Sequence, residues 1–94
     1  MVGAHGVETT ENAIAATAVS RQRTVMVEIS WDGYVIGVRL LSDAVRQWDS
    51  QTLEDRVKSV AAVAHDRYLA GLEATDGRYP TPEAVAAAEL ELDF

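Results

Sequence analysis

The sequence contains no cysteine. That absence excludes disulfides, zinc-thiolate sites and thiol catalysis, and with them a disulfide-stapled secreted scaffold. Histidine is limited to His5 and His65, and neither has convergent partners at the spacing a metal or catalytic site needs. The glycines Gly3, Gly6, Gly33, Gly37, Gly71 and Gly77 are scattered and form no phosphate-cradling loop. No apolar run approaches the ~20 residues of a membrane span. The stretch Met1–Glu11 has neither a basic n-region nor an apolar core of the kind a signal peptide carries. With no nucleophile–base pair or ligand set in view, the expectation is a protein that is not an enzyme, takes no cofactor, avoids membranes and is cytoplasmic at synthesis.

Basic charge is scarce as well. The formal net charge is −7. Residues 21–67 are balanced: Arg21, Arg23, Arg39, Arg46, Arg56, Lys58 and Arg67 stand against Glu28, Asp32, Asp43, Asp49, Glu54, Asp55 and Asp66. The excess acid lies mostly after residue 68, where Arg78 alone opposes Glu73, Asp76, Glu83, Glu89, Glu91 and Asp93. Nucleic-acid binding rests on a basic surface that neutralises phosphates. No such cluster exists here, so duplex DNA is not the expected partner. The carboxylate runs Glu54-Asp55 and Glu89-x-Glu91-x-Asp93 read as solvated surface.

What is present is one domain's worth of chain, 94 residues with 48% hydrophobic content. A chain this short buries only roughly 60–65% of its unfolded surface, and self-association is a common remedy. Residues 1–12 are polar and without period, which suits a flexible tail. Residues 13–22 are ambiguous: alanine favours helix, whereas Ile14, Thr17 and Val19 suit a strand. From Thr24 to Ser30 the pattern alternates strictly, with Val25, Val27 and Ile29 on one face and Met26 and Glu28 on the other. Tyr34–Leu41 alternates again around Ile36, Val38 and Leu40. Asp32-Gly33 between them reads as a two-residue type I′ turn. That turn pairs Trp31 with Tyr34, Ile29 with Ile36, Val27 with Val38 and Val25 with Leu40, all apolar on one face. Met26 pairs with Arg39 and Glu28 with Gly37 on the other.

Ala44–Trp48 reads as a short third strand. Asp49 or Ser50 then caps a helix reaching about Gly71–Ala74. Its stripe of Leu53, Val57, Val60, Ala64 and Tyr68 at helical spacing is expected to cover the apolar face of the hairpin. Thr75-Asp76-Gly77 stops that helix by turn chemistry. A second helix starts with Thr81 as N-cap, Pro82 at its first position and Glu83 in its first turn. The division expected is a tail over 1–12, an α+β core over 13–74 and an acidic helical extension over 75–94.

The segments RTVMVEISWDGYVIGVRL and SQTLEDRVKSVAAVAHDRYLAGL, in that order, resemble the YbaB/EbfC family. Within it, Arg23-Thr24-Val25, Asp32-Gly33 and Pro80-Thr81-Pro82-Glu83 before the Ala86–Ala88 run are similar to the mycobacterial type VII secretion-associated EspD/EspH group. The resemblance implies a YbaB-like antiparallel hairpin or three-stranded sheet, covered by one long α-helix and followed by a short one. It implies a protein-binding accessory or chaperone-like factor linked to type VII secretion, with a homodimer, a heterodimer with a related YbaB-like chain or a secretion-associated protein as partner. The alternative it carries is a nucleoid-associated DNA-binding dimer. Trp31-Asp32-Gly33 and Tyr79-Pro-Thr-Pro-Glu83 also spell the Trp-x-Gly and Tyr-xxx-Glu patterns of type VII substrates. The first falls in a hairpin turn rather than between helices and reads as coincidence. The second reads as a short chance match.

The expected interaction residues are of two kinds. Trp31, Tyr34 and Trp48 are large aromatics, the first two at the hairpin tip beyond the reach of a covering helix. Met26, Val35 and Leu41 break the polarity of the outer sheet face.

Overall fold

The computed structural model describes residues 13–72 and 79–94. Three strands, β1 (Ile14–Val19), β2 (Val25–Ser30) and β3 (Val35–Leu40), form an antiparallel sheet in the order β1-β2-β3. A 3-10 turn over Asp43–Gln47 follows, then α1 (Ser50–Ala70) and α2 (Pro82–Leu90). This is an α+β fold, as the alternation and capping signals imply.

The ambiguous segment 13–22 resolves as strand. Ala16 and Ala18 pair with Ile29 and Val27 and are buried on the same face. Their small side chains let α1 approach closely, and Val60, Val63 and Ala64 pack there with Val25, Val27 and Ile29. Tertiary burial thus overrides the helical preference of alanine.

Two local expectations are corrected. Ala44–Trp48 is not a strand. The Ser42 side chain accepts from the Ala44 N–H, and the chain coils into the 3-10 turn that buries Val45. The hairpin turn is not type I′ either. The Gly33 N–H donates to Ser30 O at 2.9 Å and the Ser30 N–H to Tyr34 O at 2.8 Å, closing a loop of Trp31, Asp32 and Gly33. Within this loop Gly33 alone takes positive φ, +87°, as in a type I turn followed by a glycine bulge. One residue more in the turn moves the tip pairing by one, so Ile29 faces Val35. A bulge between Glu28 and Ile29 then restores the expected register, and Val25–Leu40, Met26–Arg39, Val27–Val38 and Glu28–Gly37 pair as the sequence implies.

α1 begins where expected. Asp49 Oδ1 accepts from the Thr52 N–H at 2.7 Å, which holds its carboxyl below the usual range. The helix ends at Gly71. Thr81 caps α2, with Pro82 at its start. The proposed stop at Thr75-Asp76-Gly77 and the tail over 1–12 lie outside the described residues.

Candidate protein-binding surface

A single helix is about 10 Å across and strands lie about 4.8 Å apart, so one helix covers two strands well and three poorly. α1 packs chiefly on β1 and β2. β3 is left at the margin, and the expectation that the helix covers the whole hairpin face is corrected there. Val25 and Val27 are fully buried, yet their cross-strand partners Leu40 and Val38 are 51% and 46% exposed. Ile36 is exposed beside them.

The turn places its aromatics outward. Trp31 is 66% and Tyr34 71% exposed. The Tyr68 hydroxyl reaches from α1 and donates to Trp31 O at 3.0 Å, and its ring lies 3.1 Å from where a Cβ on Gly33 would stand. This clamp fixes the tip without covering its rings. Val35 and Leu41 are exposed as well, while Met26 is half-buried on the sheet face opposite α1. Five expected residues, Met26, Trp31, Tyr34, Val35 and Leu41, therefore belong to β3, its neighbour strand or its flanking turns.

Trp48 is placed apart from them. It is half-buried and meets the Phe94 ring edge-on, with centroids 6.0 Å apart. The Arg56 guanidinium lies 4.4 Å over the Trp48 ring. These contacts tie the start of α1 to the C-terminal segment, so Trp48 serves packing in this fold.

The residues that sequence reasoning assigned to the core and the structure exposes are Ile36, Val38 and Leu40. Their alternation signals a buried face correctly for β2 and not for β3. The discriminating signal is the competition from Ala16 and Ala18, legible only once residues 13–22 are read as a strand.

The two edges of the sheet differ. Thr17 O and Val19 N point away from β2 and are engaged by side chains: Arg67 Nη1 donates to Thr17 O at 2.7 Å, and the Val19 N–H donates to Glu89 Oε2 at 2.9 Å. Arg67 also grips Glu89 with both terminal nitrogens, at 2.9 and 3.0 Å. The hydrogen bonds from Arg67 hold the Glu89 carboxyl below its usual range against partial desolvation, with the Val19 N–H adding to the effect. The Arg21 N–H donates to Leu92 O at 2.8 Å and extends the seal. At the other edge, β3 meets no further strand among the described residues. The Leu41 N–H bonds inward to Thr24 O, so by alternation the backbone groups of Val38 and Leu40 point outward.

Beyond the end of β3 lies an open cleft of about 410 Å³ lined by Leu40, Leu41, Ser42, Asp43, Val45 and Arg46. On the face away from α1, Glu28 is buried and its Oε1 is 3.6 Å from Arg39 Nε. A Cβ on Gly37 would run into the Glu28 carboxylate, so glycine gives that carboxylate its room. Among the described residues there is no group of three or more His, Asp or Glu side chains arranged to hold a metal ion, and no helix is long and apolar enough to cross a membrane. Comparison with protein-family models, curated proteins and solved structures finds no match to this chain.

Proposed function

We propose that the chain is a non-catalytic protein-binding module that presents β3 and the hairpin tip to its partner. The observation that carries this reading is the exposed apolar surface of β3. Single exposed apolar side chains are ordinary, but contiguous ones on an open strand edge mark a binding surface or an aggregation hazard. Strand-edge recognition supplies backbone hydrogen bonds for affinity and flanking side chains for choice of partner. The likeness to YbaB/EbfC chains and to the EspD/EspH group supports a cytoplasmic accessory or chaperone-like role linked to type VII secretion. Duplex DNA is the competing ligand under that likeness, and the net charge of −7 disfavours it.

Site-specific photo-crosslinking in the source cell tests the reading. A photoreactive residue at Ile36 or Tyr34 is expected to form protein adducts, while one at Ala62, exposed on α1, forms none. Adducts of equal yield at all three positions, or adducts sensitive to nuclease, would overturn it.

A further inference from the structure

We infer that the partner at β3 is an extended basic segment of another protein, laid antiparallel along the open edge with an arginine or lysine side chain turned onto the Glu28 carboxylate. The inference rests on the protein-binding reading above and names the chemistry of its occupant.

The edge offers main-chain bonds in a fixed register. The Leu41 N–H bonds inward to Thr24 O, so the N–H and C=O groups of Val38 and Leu40 point outward. An added strand bonds to these two residues, and antiparallel pairing continues the mode of the whole sheet. The residues of the segment that face Val38 and Leu40 put their side chains on the α1 side, beside two half-exposed apolar chains. Apolar side chains are selected there.

The residue after the one facing Val38 stands opposite Gly37, on the other face of the sheet. Pairs of this kind exchange no main-chain bonds, and their side chains lie closest. Glu28 is buried over Gly37, and a Cβ there would run into its carboxylate. Arg39 approaches that carboxylate only to 3.6 Å and lies mostly in solvent, whereas a charge-assisted hydrogen bond spans about 2.7–2.9 Å. No side chain of Gly37 stands between the edge and the carboxylate. An arginine or lysine at the facing position reaches it across one strand spacing, about 4.8 Å, and supplies the short bond that Arg39 does not. An acidic residue there would meet Glu28, and a basic residue two positions earlier would meet Arg39, each a like charge. The edge thus selects the order apolar, uncharged, apolar, basic along the segment.

The surroundings favour the same occupant. The net charge of −7 draws a basic segment toward the chain. Past Leu40 the edge leads into the cleft of about 410 Å³ floored by Leu41 and Val45. Antiparallel pairing sends the start of the segment there, so an apolar side chain four residues before the one facing Val38 arrives at the cleft. Arg67 and Glu89 occupy the β1 edge, which leaves β3 to take one segment per chain.

Fluorescence anisotropy with a labelled, end-capped peptide, Phe-Thr-Val-Thr-Val-Arg-Val, tests the inference on the full chain. A second peptide carries citrulline, the neutral isostere of arginine, in place of arginine. The arginine peptide is expected to bind saturably, one per chain, and roughly tenfold more tightly than the citrulline peptide, the difference one charge-assisted hydrogen bond carries. In Glu28→Gln that preference should fall to about twofold or less, which isolates the pair from the general attraction of an acidic chain. The Val38 N–H points away from β2, so Val38→Pro should bind neither peptide while keeping the wild-type far-ultraviolet spectrum. A wild-type preference below about twofold, an undiminished preference in Glu28→Gln, or no saturable binding up to about 1 mM would each overturn the inference. So would a wild-type chain that sediments at twice its 10.2 kDa mass and is not dissociated by the arginine peptide, because a second copy then holds the edge. If the peptides fail while protein adducts still form at Ile36, the protein-binding reading stands with a different occupant. If the adducts fail too, both fall.

Discussion

Gly33 shows how a single residue can be read correctly for an incomplete reason. The Asp-Gly pair announces positive φ and a tight turn, and Gly33 adopts φ +87°. The local pattern does not reveal that Tyr68, far along the chain, lies against the same atom. Ser30 and Tyr34 set the loop length through backbone bonds, and these convert the expected two-residue turn into a three-residue one. Gly33→Val therefore meets both a forbidden backbone region and the Tyr68 ring. It is expected to cost about 1–3 kcal/mol, measured by urea denaturation. Trp31 tests the other property of the tip. Its ring is mostly in solvent, so Trp31→Ala should change stability by less than about 1 kcal/mol while weakening the partner adducts. A loss in the range of a core aromatic, roughly 3–5 kcal/mol, would return Trp31 to the interior.

Among the elements, helices were the most legible in the sequence because their ends carry side-chain signals. Asp49 and Thr81 each accept from the N–H three residues on, and Pro82 occupies the first position of α2. β2 was legible from its alternation. β1 was not, because Ala16 and Ala18, buried where α1 packs, are small for close approach and carry no strand preference. Nor was the Arg67–Glu89 pair, which joins α1, α2 and β1 through residues that look like ordinary surface charges. Glu89→Ala removes the acceptor of the Val19 N–H and the partner of Arg67 together. It is expected to cost about 1–3 kcal/mol, read as a lower urea midpoint at unchanged slope. The pH dependence has a definite sign. Arg67 stays protonated throughout, its guanidinium held further charged by Glu89. The Glu89 carboxyl sits below its usual range in the folded chain. Its contribution is complete above the ordinary glutamate pKa of about 4.3 and is lost as pH falls through the lower folded value. In Glu89→Gln that part of the acid-limb decline should disappear in denaturation curves taken at stepped pH.

For the whole molecule, charge and sheet edges decide what it meets. A chain of net charge −7 with a balanced centre neutralises few phosphates. It should bind duplex DNA no tighter than about 10 µM at physiological salt, as read by a mobility shift. Nanomolar binding that weakens steeply with salt would promote the DNA-binding reading. The sheet was legible in outline, but the number of strands sharing one helix was not, and that number determines which apolar face stays open. The sealed edge of β1 also bears on biosynthesis. Val19 and Glu89 are separated by 70 positions, so a ribosome completes all three strands and α1 before the residue that closes that edge emerges. Until then the Val19 N–H at that edge lacks its acceptor, and long-range closure of this kind is slow compared with hairpin or helix formation. Crowded translation would expose that interval as misassembly between neighbouring nascent chains, and Glu89→Ala would prolong it in a chain whose mature fold is only moderately weakened.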